Sequence, residues 1–174
     1  MRELVLGVIS SAAAAAELSV PVMFAAKKDN ITLPLPRIEV SLGSCAYERT
    51  GRRLGFLVSL DECSIKREIY RIIQKVTVTL FSDDESFLAT AVPALVKKLP
   101  RGLNDNQGNW VKILVKSGGH AGYEVPKVSE TPIDPLPKRR ETLELEFTGR
   151  LTTLEPVEFI NNFNISANRG EDNG

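Results

Sequence analysis

The chain has 174 residues, 43% apolar, 25% charged and 6% aromatic, and its 22 basic side chains are balanced by 22 acidic ones. That length and apolar fraction exclude disordered, collagen-like and coiled-coil classes and predict one domain with a real core over residues 1–160, followed by a frayed tail over 161–174. Neutral charge argues against a dedicated nucleic-acid binder, and two cysteines with one histidine supply neither a disulfide scaffold nor a zinc set.

At the N-terminus, Met1 to Val22 has the outline of a secretory leader, with a basic start, an apolar run and Ala-x-Ala steps. Glu3 cancels the charge of Arg2, and the run is mostly alanine, a strong helix former but a weak membrane partner. The expectation is therefore an ordinary first helix. Leu4, Val8, Ala12, Ala15 and Leu18 share one stripe of it, and Pro21 ends it. No run approaches the roughly 20 apolar residues that a membrane helix needs.

A short strand over 22–26 and a turn at Lys27–Asn30 follow. Arg37 to Leu42 then alternates with period two, with Ile38, Val40 and Leu42 on one face. Residues 43–51 are polar and read as a loop, with 54–60 returning as a second strand. The segment 69–81 carries the strongest strand signal, placing Val76, Val78 and Leu80 on one side and Thr77 and Thr79 on the other. Ser82-Asp83-Asp84-Glu85 fits a capping box with Ser82 as the cap, opening a helix to about Leu99. Its apolar face holds Leu88, Val92, Leu95 and Leu99, and Pro93 should bend it. Strands are predicted over 110–116 and from Thr142 through Phe147 to Leu154. Between them, residues 117–140 hold Pro126, Pro132, Pro135, Pro137 and three glycines, the composition of an extended loop or hairpin arm.

Candidate chemistry is sparse. His120 paired with Cys45 or Cys63 is the only nucleophile-and-base combination on offer, and it lacks an orienting third group. A histidine between glycines is more often solvated surface. Residues 117–122 are glycine-rich after a strand, but no lysine closes a phosphate loop and no helix pattern follows. If 37–42 and 54–60 formed a hairpin, Cys45 and Cys63 would lie roughly 20 Å apart, well beyond the 7 Å or so that a disulfide spans. Free thiols are expected, with a bridge between subunits left open. Arg49, Arg52 and Arg53 cluster at one loop, and Lys138, Arg139 and Arg140 at the end of another. Either these are solvated charged faces, or they are basic loops that dock on an acidic neighbour such as the Glu144 and Glu146 row. His120 and Tyr123 in the arm complete the candidate interface.

The order of elements suggests a family. An alanine-rich helix leads into a Pro-Val strand and then a Leu-Pro-Arg-Ile-Glu-Val strand. A long strand ending Val-Thr-Val-Thr-Leu-Phe-Ser-Asp-Asp precedes a helix, and a Leu-Glu-Leu-Glu-Phe-Thr-Gly strand closes the set. Over roughly residues 1–155 this layout resembles the tail terminator, or tail completion, proteins of long-tailed bacteriophages. The resemblance implies an α+β fold, a mostly antiparallel sheet with two helices on one face. It also implies a virion protein without catalytic activity or cofactor. Its partners would be itself in a six-membered ring, the tail tube protein, the neck or head-completion protein and, through the added arm, a tail sheath. No membrane and no specific nucleic acid would be bound, although DNA would pass through the ring. The competing readings are another neck adaptor or tube subunit, a secreted binding domain, and a small cysteine–histidine enzyme.

Overall fold

Apolar residues at alternate positions of three long strands give one sheet a continuous hydrophobic face, and both helices lie on it. The computed structural model describes residues 1–25, 34–58, 63–124 and 138–157. In chain order these form α1 (Arg2–Ala15), β1 (Val22–Phe24), β2 (Arg37–Val58), β3 (Cys63–Ser82), α2 (Glu85–Lys98), β4 (Gly102–Asn104), β5 (Trp110–Glu124) and β6 (Lys138–Val157). The strands make one sheet in the order β1-β2-β3-β6-β5-β4. Every pairing is antiparallel except β1 with β2. The fold is α+β and mostly sheet, as the resemblance implied.

The core is one cluster. Val76, Val78 and Leu80 of β3, Leu143, Leu145 and Phe147 of β6, and Ile38 and Val40 of β2 meet Val5, Ile9 and Ala12 of α1 and Leu88, Val92 and Leu95 of α2. The buried stripe of α1 is Val5, Val8, Ile9, Ala12 and Ala13, rotated from the expected one, with Ala15 exposed. The helix also stops earlier. Glu17 adopts φ 59°, and the amides of Leu18 and Glu17 donate back to the Ala13 and Ala14 carbonyls, both at 3.0 Å. That left-handed stop, ahead of Pro21, ends the helix and puts Leu18 outside it.

The cap of α2 moves as well. Ser82 is still in β3, paired with Arg139, so the helix begins later and Asp84 caps it. Its carboxylate accepts from the Ser86 amide at 2.9 Å, while Ser82 Oγ accepts from the Asp84 amide at 3.0 Å. Pro93 lies inside α2 on its exposed side.

The largest correction concerns β2. Residues 43–51 are not a loop between two strands. β2 is a single 22-residue strand running antiparallel to β3, with register shifts at three places. Two of these shifts have visible local chemistry. At Gly43–Ser44 the buried Gln74 amide donates to the Gly43 and Lys75 carbonyls at 3.0 and 2.8 Å, filling the gap left by the extra residue. At Thr50–Gly51 the glycine takes φ 61° and the Thr50 hydroxyl donates to the Glu68 carbonyl at 3.0 Å. The third shift falls at Leu54.

Residues 117–124 and 138–140, read as part of an extended loop, are paired strand, with Gly118 opposite Leu143 and Tyr123 opposite Arg139. The rest of that segment, 125–137, lies outside the described residues, as do the turn at 27–30 and the tail from 161.

Candidate interface: the blade and the recess beside it

The helix layer covers only half of the sheet. Met1, the N-cap of α1, sits over Gly149, 3.2 Å from where a Cβ would stand, and this marks the edge of the covered part. Beyond it, residues 43–58 of β2, 63–73 of β3 and 149–157 of β6 continue as a three-stranded blade. β1 borders β2 only at Ile38–Val40, and β5 borders β6 only up to Thr148. Among the described residues both long edges of the blade are therefore unpaired.

The register assigns each blade residue to a face. On the side that carries the helices lie Tyr47, Ile72, Tyr70, Leu151, Phe56, Ile65 and Val58, in rows continuous with Val76 and Leu145. Tyr47 and Tyr70 meet edge to face at 6.4 Å, and the Arg53 guanidinium stacks 5.4 Å from the Phe56 ring. Exposure is high for apolar side chains: 63% at Tyr47, 56% at Phe56 and 68% at Val58. A hydrogen bond with Cys45, and the charge of its thiolate form, hold the Tyr47 phenol above its ordinary value.

The opposite side carries a charge cluster beside the exposed Leu57 and Leu154. Glu68 is only 1% exposed, yet its carboxylate faces the Arg150 guanidinium at 3.3 Å and that of Arg71 at 3.8 Å, while Arg71 also pairs with Glu48 at 3.7 Å. A buried carboxylate is tolerated when it is paired in this way.

Where the blade leaves the helix layer, a recess of about 940 Å³ opens. Leu4, Gly7 and Ser11 of α1 form one wall, Ile72 and Leu151 the floor, and the β4–β5 turn the other wall. Asp105 builds that turn by accepting from the Gln107 and Asn109 amides at 2.9 and 2.8 Å, and Gly108 supplies φ 72°.

The expected site residues are thereby sorted. Arg49 and Arg53 fall on the helix side of the blade, and plain alternation puts Arg52 on the other side, opposite Glu68. Strand alternation thus splits the loop cluster. Lys138, Arg139 and Arg140 pair with Glu124, Tyr123 and Gly122 at the other end of β6, about 40 Å from the Arg52 row at 3.3 Å per residue. The two basic groups do not meet. Glu144 and Glu146 lie between them on the face away from the helices. Glu144 accepts from Ser117 Oγ at 2.9 Å, and Glu146 pairs with the Lys116 ammonium at 3.2 Å.

His120 pairs with Thr142 in the β5–β6 ladder. Counted along the register, it stands about 20 Å from Cys45 and about 50 Å from Cys63. Cys63 lies opposite Val58 at the blade's far end, so both cysteines are free and about 40 Å apart along β2. Among the described residues, no group of three His, Cys, Asp or Glu side chains is placed to hold a metal ion, and no helix is long and apolar enough to cross a membrane.

Sequence reasoning missed the exposed apolar side chains of the blade. The signal was present in Ile69-Tyr-Arg-Ile-Ile73, where apolar residues occur on both faces of a strand. No family model matches the chain. No curated protein matches it either.

Proposed function

We propose that this protein is a structural component of a bacteriophage tail. As a tail terminator it forms a ring, hexameric in the family it resembles, that caps the head-proximal end of the tail tube, stops its growth and presents a surface to the neck. It acts in the virion, without catalysis or cofactor, and its partners are copies of itself, the tube protein and the neck protein. A tail sheath is a further partner, and DNA passes through the ring.

The observation that carries this reading is the blade. A three-stranded extension with exposed Tyr47, Phe56, Leu57, Val58 and Leu154 has more apolar surface than a monomer has use for. A blade on one side and a recess on another give a head-to-tail contact, and such contacts close into rings when the rotation allows.

The test is electron microscopy of the purified protein, alone and added to polymerising tube protein. Rings, and tubes that stop at a fixed end, are expected. A monomer that leaves tube growth unaltered would overturn the reading.

A further inference from the structure

We propose that the helix side of the blade is a binding platform for single-stranded nucleic acid. This goes beyond the ring reading, to which the exposed Leu57 and Leu154 on the blade's other face remain available.

Aromatic rings and guanidinium groups interleave on this face. The register sets Tyr47 beside Ile72, Arg49 beside Tyr70, Arg53 beside Arg67 and Phe56 beside Ile65. From the Ile72 row to the Ile65 row is seven residues of β3, about 23 Å. Tyr47 and Phe56, at the two ends of that span, are mostly exposed. Tyr70 stands edge to face with Tyr47. A short extended strand can lie along these rows with its bases stacked on the rings and its phosphates beside the arginines.

The charge of the face suits a phosphate backbone. Arg49 and Arg53 are exposed, and among the described residues neither has an acidic partner. Glu155 is the one acid that the register puts on this face of the described blade, and Arg67 holds it at 2.6 Å. In the adjoining recess Glu3 and Asp105 are offset by Lys98 and Arg150. Asp61 and Glu62 follow the Val58–Cys63 row and lie outside the described residues. Arg53 and Arg49 stand about 13 and 23 Å of strand before that row, beyond the screening length of about 10 Å at 0.1 M salt.

Stacking selects the class of polyanion. Bases in a duplex are already stacked on one another and offer these rings no free faces, and acidic peptides carry charge without planar bases. Because the whole chain is neutral, the attraction is local and sensitive to salt.

The test is fluorescence anisotropy of labelled 12-nucleotide oligothymidylate and oligouridylate, titrated with the full-length protein between 50 and 200 mM salt. Saturable binding is expected, the tighter oligomer naming DNA or RNA as the source. Two phosphate contacts should weaken it about sevenfold over that salt range. Tyr47→Ala should lose about fivefold or more in affinity with the salt slope unchanged, and Tyr47→Phe should bind like the parent. Arg49→Gln and Arg53→Gln should each flatten the slope by about 0.7. Melting temperatures report that every variant is folded. A parent that binds neither oligomer at 50 mM salt overturns the proposal. So does a duplex or a polyglutamate that competes as well as the oligomers, or a folded Tyr47→Ala that binds like the parent. Ring formation, scored by electron microscopy on the unmixed protein, is decided separately.

Discussion

The same three strands pass through two environments. Under the helices, Val76, Val78 and Leu80 of β3 and Leu143, Leu145 and Phe147 of β6 alternate with polar residues and are fully buried, as are Ile38 and Val40 of β2. Past Gly149 the alternation weakens, apolar side chains appear on both faces, and among the described residues of the blade only Ile65 and Glu68 are buried. The body therefore holds the core, and the blade leaves its apolar side chains exposed. An element can be regular in backbone and still divided in purpose, because ladder hydrogen bonds are indifferent to what the side chains face.

Substitutions that respect this division should differ sharply. Leu95→Ala removes a fully buried side chain of the body and should cost about 2–5 kcal/mol, whereas Leu154→Ala in the blade should stay within about 0.5 kcal/mol. Equal denaturation midpoints for the two would erase the boundary. Glu68→Gln is the exception expected within the blade. It replaces the buried carboxylate between the half-exposed Arg150 and Arg71 with a neutral amide and should cost about 1–3 kcal/mol. A loss no larger than that of Leu154→Ala would make the charge cluster incidental. Asp84→Ala should cost about 1 kcal/mol by uncapping α2, measured by thermal unfolding. The smallest expected change is a gain: Glu17→Gly relieves a left-handed residue at the end of α1 and should stabilise by about 0.5–1 kcal/mol.

Much of the body was legible because burial on one face imprints a period of two on Arg37–Leu42, Val76–Leu80 and Leu143–Phe147. The continuity of β2 was not. Its polar middle with glycines at 43 and 51 has the composition of a loop, and only long-range pairing to β3 holds it extended. The cap was displaced by two residues because Ser82 and Asp84 are equally suited to capping, and Ser82's place in the β3–β6 ladder decides between them. For the candidate interface, the arginines were found but not their separation. Alternation separates Arg52 from Arg49 and Arg53, and this is visible only once their segment is known to be strand rather than loop. The exposed apolar residues were hidden for a simpler reason: in a sequence, an apolar residue in a strand reads as core.

The long ladder also sets how the molecule bears load. β3 is bonded to β2 on one side and to β6 on the other along almost its whole length. Antiparallel bonds run across the strands, so a pull along the blade axis strains many rungs together, while a sideways peel would open them singly. Tension directed along the strands is thus shared between the tip and the helix-covered body, and the blade behaves as a stiff spar rather than a hinged flap.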